Sequence, residues 1–329
     1  MKDVIRYDNA WYVLATSSRA DDRTRTLKHG ETFVFFDRFG DIQDIGAGDQ
    51  GLYHEGTRFL SYFELTLDDD GLRPALLHST VKSDNSELIV DLTNPDLWDS
   101  DPKDNKRLLL PNGTLHLARS KVLGEGVHYE RLLINHYGHG VLPLHFEFRF
   151  DADYADIFEV RGTVRPRRGR KLPPVVTENG VILGYEGLDG VRRQTRIVFN
   201  PKPDSISEKR CRYALQIPPR TPTNLYITVA CESEKTPAVI LDYGRAEVAS
   251  HAEVPLAEKR KITLTTTNEQ FNDWINRSAA DLNMLISETH YGPYPYAGVP
   301  WFSTPFGRDG IITALQYLWL SPWLAKGVL

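Results

Sequence analysis

The densest group of side chains suited to binding a polyhydroxylated ligand lies in residues 301–310, WFSTPFGRDG. Arg308 and Asp309 are adjacent, and a guanidinium beside a carboxylate can hold two neighbouring hydroxyl groups through charge-assisted hydrogen bonds. Trp301 and Phe302 can wall a pocket with aromatic faces. These four residues are therefore predicted to bind substrate, because binding residues concentrate in loops held on rigid scaffolds. The alternative interpretation is an Arg–Asp ion pair that only caps a helix.

Helices are predicted on both sides of this loop. Residues 266–288 form an amphipathic pattern, and Thr267 with Gln270 three positions later is typical of a capping box. Residues 308–320 are apolar on nearly every side, which predicts a helix buried all round. Ser321 and Pro322 are expected to end that helix and begin another. The apolar stripe of the first helix comprises Phe271, Trp274, Ile275, Ser278, Leu282, Leu285 and Ile286.

The first three-quarters of the chain is dominated by the period of two that is typical of β-strands. In residues 58–71 the apolar side chains alternate before an acidic turn, and in residues 142–151 Leu144, Phe146, Phe148 and Phe150 face one way. About a dozen such runs predict a mainly β fold, a large antiparallel β-sandwich. A short helix is predicted at 238–250. We place a domain boundary near residue 255, which gives a β domain at 1–255 and a helical part at 256–329.

Composition excludes several classes of protein. The net charge of −5 gives no indication of a nucleic-acid partner. No apolar run approaches the roughly 20 residues that a membrane span needs, and the N-terminus lacks a signal-peptide pattern. Cys211 and Cys231 are too few for a disulfide framework or a zinc site of standard spacing. We expect a cytoplasmic protein with no cofactor and no metal.

Two further segments carry charged candidates. Residues 48–59, GDQGLYHEGTRF, contain His54, Glu55 and Arg58 in a glycine-shaped loop, where a substrate-rim role and a packing role both remain open. Residues 164–174, VRPRRGRKLPP, contain five basic side chains without an apolar period, which suits either a phosphate contact or a solvated surface loop.

An acidic cluster, DADYADIFE, begins at Asp151. A catalytic interpretation would make two of its carboxylates an acid and a base, which requires distinct pocket environments. The favoured interpretation is an acidic strand end at the junction between the domains. We expect three of its residues at the domain interface or at the rim of the substrate site: Asp153, Asp156 and Glu159.

Residues 294–316, YPYAGVPWFSTPFGRDGIITALQ, resemble the start of the helical catalytic domain of glycogen debranching enzymes of the amylo-α-1,6-glucosidase type. Residues 48–67, 91–97 and 151–162 resemble the β-rich domain that precedes it in bacterial members. The resemblance implies a β-supersandwich followed by the first helices of a truncated (α/α)6 barrel. It also implies inverting hydrolysis of α-1,6-linked glucose in glycogen or a branched α-glucan. Related glucoamylases bind the 4- and 6-hydroxyls of a terminal glucose with a similar segment, a role that falls by position on Arg308 and Asp309.

Inverting hydrolysis needs two carboxylates about 6.5–9.5 Å apart. By the resemblance, both are expected on barrel loops beyond Leu329, so the catalytic residues are unknown here and this chain is expected to be inactive alone. The remainder of the barrel is an expected partner. Two alternatives remain: a non-catalytic glucan-binding or interaction module, and a disaccharide phosphorylase of similar architecture, to which only the basic residues 165–171 point.

Overall fold

The structure, a computed structural model, describes residues 4–7, 10–13, 24–43, 48–67, 71–98, 108–234, 236–258 and 264–329. Antiparallel strands are the commonest element among these residues, and helices are concentrated towards the C-terminal end. The predicted fold class, a large antiparallel β-sandwich followed by helices, is confirmed. No helix in the described part of the chain is long and apolar enough to cross a membrane.

Strands occur along most of the described chain, from Val4 to Pro295. In chain order, the first eleven are β1 (Val4–Tyr7), β2 (Ala10–Val13), β3 (Arg25–His29), β4 (Thr32–Phe36), β5 (Gly51–His54), β6 (Thr57–Leu60), β7 (Tyr62–Leu67), β8 (Ala75–Val81), β9 (Glu87–Thr93), β10 (Leu97–Trp98) and β11 (Leu108–Leu110). The next eleven are β12 (Leu115–Gly124), β13 (Val127–His136), β14 (Leu142–Asp151), β15 (Arg170–Val176), β16 (Gly180–Glu186), β17 (Arg192–Asn200), β18 (Ser205–Ile206), β19 (Arg210–Ile217), β20 (Thr223–Ser233), β21 (Ile286–Thr289) and β22 (Gly292–Pro295).

The described strands exceed the predicted dozen. A short strand such as β5 is buried at every position, so it shows no alternation that a sequence pattern could detect. The alternation predicted in β14 is confirmed, because Leu144, Phe146 and Phe148 are buried. The turn predicted at residues 68–70 lies outside the described residues.

Three sheets build the sandwich. The largest has eight strands in the order β15-β16-β17-β20-β13-β12-β9-β8, and two four-stranded sheets have the orders β18-β19-β14-β7 and β3-β4-β5-β6. One apolar cluster takes side chains from all three sheets, including Phe36, Phe148 and Leu225. The core of the protein therefore lies between the eight-stranded sheet and the two smaller ones.

Charged groups are buried in the same interior. Arg119 Nε donates to Glu130 Oε1 at 2.6 Å, and Arg119 also donates to Asp41 Oδ1 at 2.5 Å. Lys121 forms an ion pair with Glu130, and these four side chains are at most 1% exposed. Each buried charge thus has an opposite charge in contact, as burial of charge requires.

Five helices accompany the strands: α1 (Ile157–Val160), α2 (Tyr243–Glu258), α3 (Glu269–Leu285), α4 (Gly307–Tyr317) and α5 (Pro322–Val328). The helix predicted at 238–250 begins five residues later than expected, at Tyr243. Its Tyr243 and Ala246 pack against Val122 and Tyr129 of the large sheet. The boundary near residue 255 stays a prediction.

Two predictions about the later helices are wrong. The N-cap of α3 is Asn268, whose side chain accepts from Phe271 N at 3.1 Å, and not Thr267, because the helix starts one residue later. α4 was expected to be buried all round, but only Gly310 and Ala314 are buried in it. Ile311, Ile312 and Leu315 of α4 are exposed. In the stripe of α3, Phe271 and Trp274 are exposed as well, whereas Ile275, Leu282 and Leu285 are half-buried.

Candidate functional site

The loop between β22 and α4 is fixed to the β part of the molecule. Val299 packs against an aromatic cluster of Phe33, Phe35 and Tyr53 from β4 and β5. Arg161, directly after α1, lies with its guanidinium 5.6 Å from the ring centre of Phe302. Because both contacts come from rigid sheet or helix ends, the loop is held in place at its base.

Arg308 and Asp309 lie in the first turn of α4. Arg308 Nε is 3.5 Å from Asp309 Oδ2, and the Arg308 side chain is 80% exposed. The N-cap residue, Phe306, offers no side-chain acceptor to the free backbone N–H groups. A carboxylate in this first turn is favoured by the positive end of the helix dipole. Arg308 is thus open to a ligand, and the partly exposed side chain of Asp309 lies beside it.

Two polar atoms of this segment lack hydrogen-bond partners among the described residues. They are Ser303 Oγ and Asp309 Oδ2, and both are shielded from solvent. Native proteins leave few buried polar atoms unsatisfied, and a missing ligand or water is one explanation. The segment therefore has spare hydrogen-bonding capacity beside Arg308.

The aromatic wall of Trp301 and Phe302 stays a prediction. Trp301 is half-buried, and Phe302 is exposed with its ring edge-on to Phe306 at 5.9 Å between centres. These rings are close in sequence to the Arg308–Asp309 pair and are available for contact with the apolar face of a sugar.

A polar cluster that the sequence did not indicate holds the hairpin β21–β22 against β3. Lys28 Nζ donates to Ser287 Oγ and to Gly30 O, each at 2.8 Å. Lys28 also lies 5.1 Å from the ring centre of Tyr296, whose hydroxyl donates to Glu31. Burial lowers the pKa of Lys28 to about 8. Residues 28 and 287 are 259 positions apart, so no local spacing could have revealed the contact.

The hairpin in turn carries the last two helices. Gly310 of α4 faces Tyr294, whose hydroxyl donates to Phe306 O at 3.0 Å. Gly327 of α5 lies directly on the backbone of Pro293. The predicted binding loop is therefore connected to the β part both through its own contacts and through β22.

Arg58 and Asp153, two of the predicted rim residues, are brought together. Arg58 Nε donates to Asp153 Oδ1 at 3.1 Å, and a second guanidinium nitrogen donates to Gly48 O at 2.7 Å. A third guanidinium nitrogen donates to the other carboxylate oxygen of Asp153, so the ion pair is bidentate. These contacts tie the end of β14 to the loop before β5.

His54 and Glu55 lie apart from the binding loop's charged pair. His54 is buried, with Nδ1 2.9 Å from Thr32 Oγ1 and 3.7 Å from Glu125 Oε1. Burial lowers the pKa of His54 below its usual range, which favours the neutral ring. Glu55 is exposed in the turn between β5 and β6, at a φ of 47°.

Asp156 and Glu159 form a capping box at α1. Asp156 Oδ1 accepts from Glu159 N at 2.9 Å, and Glu159 Oε2 accepts from Asp156 N at 3.0 Å. Asp156 also pairs with Arg165, and Glu159 pairs with Arg168. Both carboxylates are thus engaged in holding a helix end.

The basic stretch at 164–174 is not a loop throughout, because its second half forms the edge strand β15. Four of its five cations face acidic partners, which neutralises most of the charge that suggested a polyanion contact. The pairs are Arg165–Asp156, Arg168–Glu159, Arg170–Glu186 and Lys171–Asp151.

One group of side chains has the composition of a metal site. Ligand atoms of Glu87, Glu247 and His251 lie within 4.8 Å of one another. The ammonium of Lys82 is 2.6 Å from Glu87 Oε2 and already supplies a positive charge there. This arrangement is explained by an ion pair, so we assign it no metal.

Comparison with known proteins identifies a family. Residues 27–228, more than half of the chain, match the N-terminal domain of (some) glycogen debranching enzymes. No curated protein sequence gives a significant match.

A solved structure shares the fold, and a second is similar at a lower score. A bacterial glucoamylase complexed with acarbose has 11% sequence identity and a TM-score of 0.52, over 91% of this chain and 47% of that one. A proposed kojibiose phosphorylase from the human microbiome has 11% identity and a TM-score of 0.45, over 80% of this chain and 36% of that one. This chain therefore spans less than half the length of either solved chain.

Proposed function

We propose, because the chain belongs to the family of the N-terminal domain of some glycogen debranching enzymes, that it is the N-terminal portion of a glycoside hydrolase. The proposed substrate is α-1,6-linked glucose in glycogen or another branched α-glucan. The proposed reaction is hydrolysis with inversion at the anomeric carbon, in the cytoplasm.

The observation that carries the binding role is the unmet hydrogen-bonding capacity of the loop before α4. Ser303 Oγ and Asp309 Oδ2 are shielded from water and make no hydrogen bond among the described residues, although Asp309 Oδ2 lies 3.5 Å from Arg308 Nε in an ion pair. The hydroxyl groups of a sugar can both donate and accept, so a terminal glucose would satisfy both atoms.

Each residue of the proposed subsite has a separate task. Arg308 donates to one sugar hydroxyl, and Asp309 accepts from the neighbouring hydroxyl. Trp301 and Phe302 line the same subsite. Hydrogen bonds that involve a charged partner contribute about 1.5–3 kcal/mol each, which is sufficient to orient a terminal glucose.

The acid and base of the proposed reaction come from outside the described residues. Asp156 and Glu159 are engaged in a helix cap, and Asp153 is engaged by Arg58. We propose that both catalytic carboxylates belong to the remainder of a helical (α/α)6 barrel. The exposed apolar side chains of Trp274, Leu315 and Trp319 support a helical covering partner, because large apolar patches mark interaction surfaces.

Calorimetric titration of the 329-residue chain with a glucan oligosaccharide that carries one α-1,6-linked glucose tests the binding site. Arg308→Gln and Asp309→Asn should each weaken binding about tenfold or more, because each removes a charge-assisted hydrogen bond. Arg245→Gln is a matched control, since Arg245 lies in α2, is 79% exposed and pairs with Asp242, the residue before that helix. Equal affinity of all three variants and the unchanged chain would rule out the assigned subsite.

Hydrolysis is tested separately. The 329-residue chain should release no glucose from the same oligosaccharide, and the protein in its natural full length should release it without added phosphate. Binding without release by the natural protein would favour a glucan-binding module. Release that depends on inorganic phosphate would favour a phosphorylase.

A further inference from the structure

A cleft of about 630 Å³ lies where β7, β14 and β19 meet the end of β6. It is formed by other residues than those of the binding loop before α4. Its size is within the roughly 300–1,000 Å³ that is typical of small-molecule sites. Its walls include the hydroxyls of Ser61 and Tyr62 together with four cationic and two acidic side chains.

Two of the cations are neutralised by the two acids. Arg58 donates to Asp153 through two nitrogens, and Lys209 Nζ donates to Asp151 Oδ2 at 2.8 Å. The two remaining cations of the cleft are Arg149 and Arg210.

Arg149 and Arg210 lie directly opposite each other in the antiparallel pair β14–β19. Like charges in this arrangement destabilise a sheet. Arg149 is compensated by Glu147, which accepts from its Nε at 2.5 Å and also pairs with Arg212. Across the other strand pair Arg149 faces Glu64.

Arg210 is not compensated, because its guanidinium has no ion-pair partner among the residues that the structure describes. Two arginines on neighbouring strands, one of them without an ion-pair partner among the described residues, favour an anionic ligand over a cationic one. Guanidinium groups match the oxygens of a phosphate in a bidentate manner.

We propose that this cleft binds a phosphorylated monosaccharide. Arg149 and Arg210 hold the phosphate, and the hydroxyl and carboxylate groups of Ser61, Tyr62 and Asp151 line the space for the sugar hydroxyls. The volume exceeds that of a bare phosphate, and the uncompensated positive charge favours an anionic sugar over a neutral one. The proposal does not depend on the α-1,6-glucosidase assignment, since the residues of the two sites are different.

Titration calorimetry of the 329-residue chain at low salt, with glucose 6-phosphate, inorganic phosphate and glucose as probes, tests this site. Glucose 6-phosphate should bind more tightly than either other probe, and its affinity should fall as salt is raised. Arg210→Gln should weaken its binding at least about tenfold, which is the loss of one charge-assisted contact. The fold should not suffer, because Arg210 is exposed and has no ion-pair partner among the described residues to release.

Arg167→Gln is the matched control, because Arg167 is also exposed and without an ion-pair partner among the described residues. Unchanged binding by Arg167→Gln together with weakened binding by Arg210→Gln and Arg149→Gln supports the site. Binding that is equal in all variants overturns it, and so does a lack of binding at millimolar glucose 6-phosphate. If inorganic phosphate binds as tightly as glucose 6-phosphate, the sugar is not recognised and that part of the proposal is wrong.

Discussion

His128 is buried beside the charged groups of the core. It is 2% exposed, its ring centre is 5.3 Å from that of Phe36, and its Nε2 has no hydrogen-bond partner among the described residues. Burial, and then the positive charges of Lys121 and Arg119, lower the pKa of His128 to about 3. The ring is therefore neutral in the folded protein at every pH at which the fold is expected to persist.

Acidification should destabilise the protein through His128. Below pH 6.5 the unfolded chain binds a proton at this residue, and the folded chain does not until about pH 3. The free energy of unfolding therefore falls as pH drops through this window, by up to about 1.4 kcal/mol per pH unit. His128→Asn should make the fall between pH 6.5 and 4.5 less steep, as measured by urea denaturation.

Exposed His290 provides the comparison for that experiment. His290→Asn should leave the pH dependence of the free energy of unfolding as it is in the unchanged chain. If His128→Asn and the unchanged chain lost equal stability on acidification, the neutral buried ring would be the wrong description.

Residue chemistry was predictable where the partners are neighbours in sequence. The pairing of Arg308 with Asp309 follows from their adjacency. The contact of Lys28 with Ser287 and the juxtaposition of Arg149 and Arg210 depend on strand register and domain packing, which residue types alone do not specify.

At the scale of elements, the hairpin β21–β22 connects the helices to the sandwich. Its first strand meets Lys28 through Ser287, and its second strand packs on α4 and α5. The closest approach is at Gly327, where an added Cβ would lie 2.1 Å from Pro293 O. Only a glycine permits this contact between α5 and β22.

Gly327→Ala should loosen α5. Backbone atoms of Pro293 cannot move aside as a side-chain tip can, and overpacking of this kind costs about 1–3 kcal/mol. Amide hydrogen exchange in residues 322–328 should accelerate by about tenfold or more. Gly307→Ala is the matched helical control, because no atom lies within 4 Å of its added Cβ. Equal exchange rates in both variants would contradict the packing described.

The period of the sequence predicted which segments form helices or strands more reliably than it predicted how far each element is buried. The inward row of β14 was predicted from alternation alone, and the helix after the binding loop was found from its apolar run. The N-cap of α3 shifted from Thr267 to Asn268, since both residue types can cap and the choice depends on which backbone N–H groups lie within reach. The burial of α4 could not be predicted, because burial depends on what covers a helix.

For the molecule as a whole, stability is concentrated in the sandwich. The main apolar cluster draws only on residues between Leu27 and Cys231. In residues 264–329 the buried apolar side chains, apart from Pro295 and Pro300, are Tyr296, Ala314 and Leu324. The fold therefore consists of a well-packed β part and helices that add little core of their own.

A chain that ends at residue 258 should still unfold cooperatively. Its melting temperature should lie within about 4 °C of that of the 329-residue chain. A loss of about 1 kcal/mol in the free energy of unfolding lowers the melting temperature by only about 2–4 °C in proteins of this size. It should also bind less of an apolar dye, since Trp274, Leu315 and Trp319 are removed.

A chain that ends at residue 222 is the control, because it lacks β20, which pairs with both β13 and β17 in the middle of the large sheet. That shorter chain should show no cooperative transition. Loss of cooperative unfolding in the 258-residue chain as well would mean that the helices are part of the folding unit, and the concentration of stability in the sandwich would be wrong.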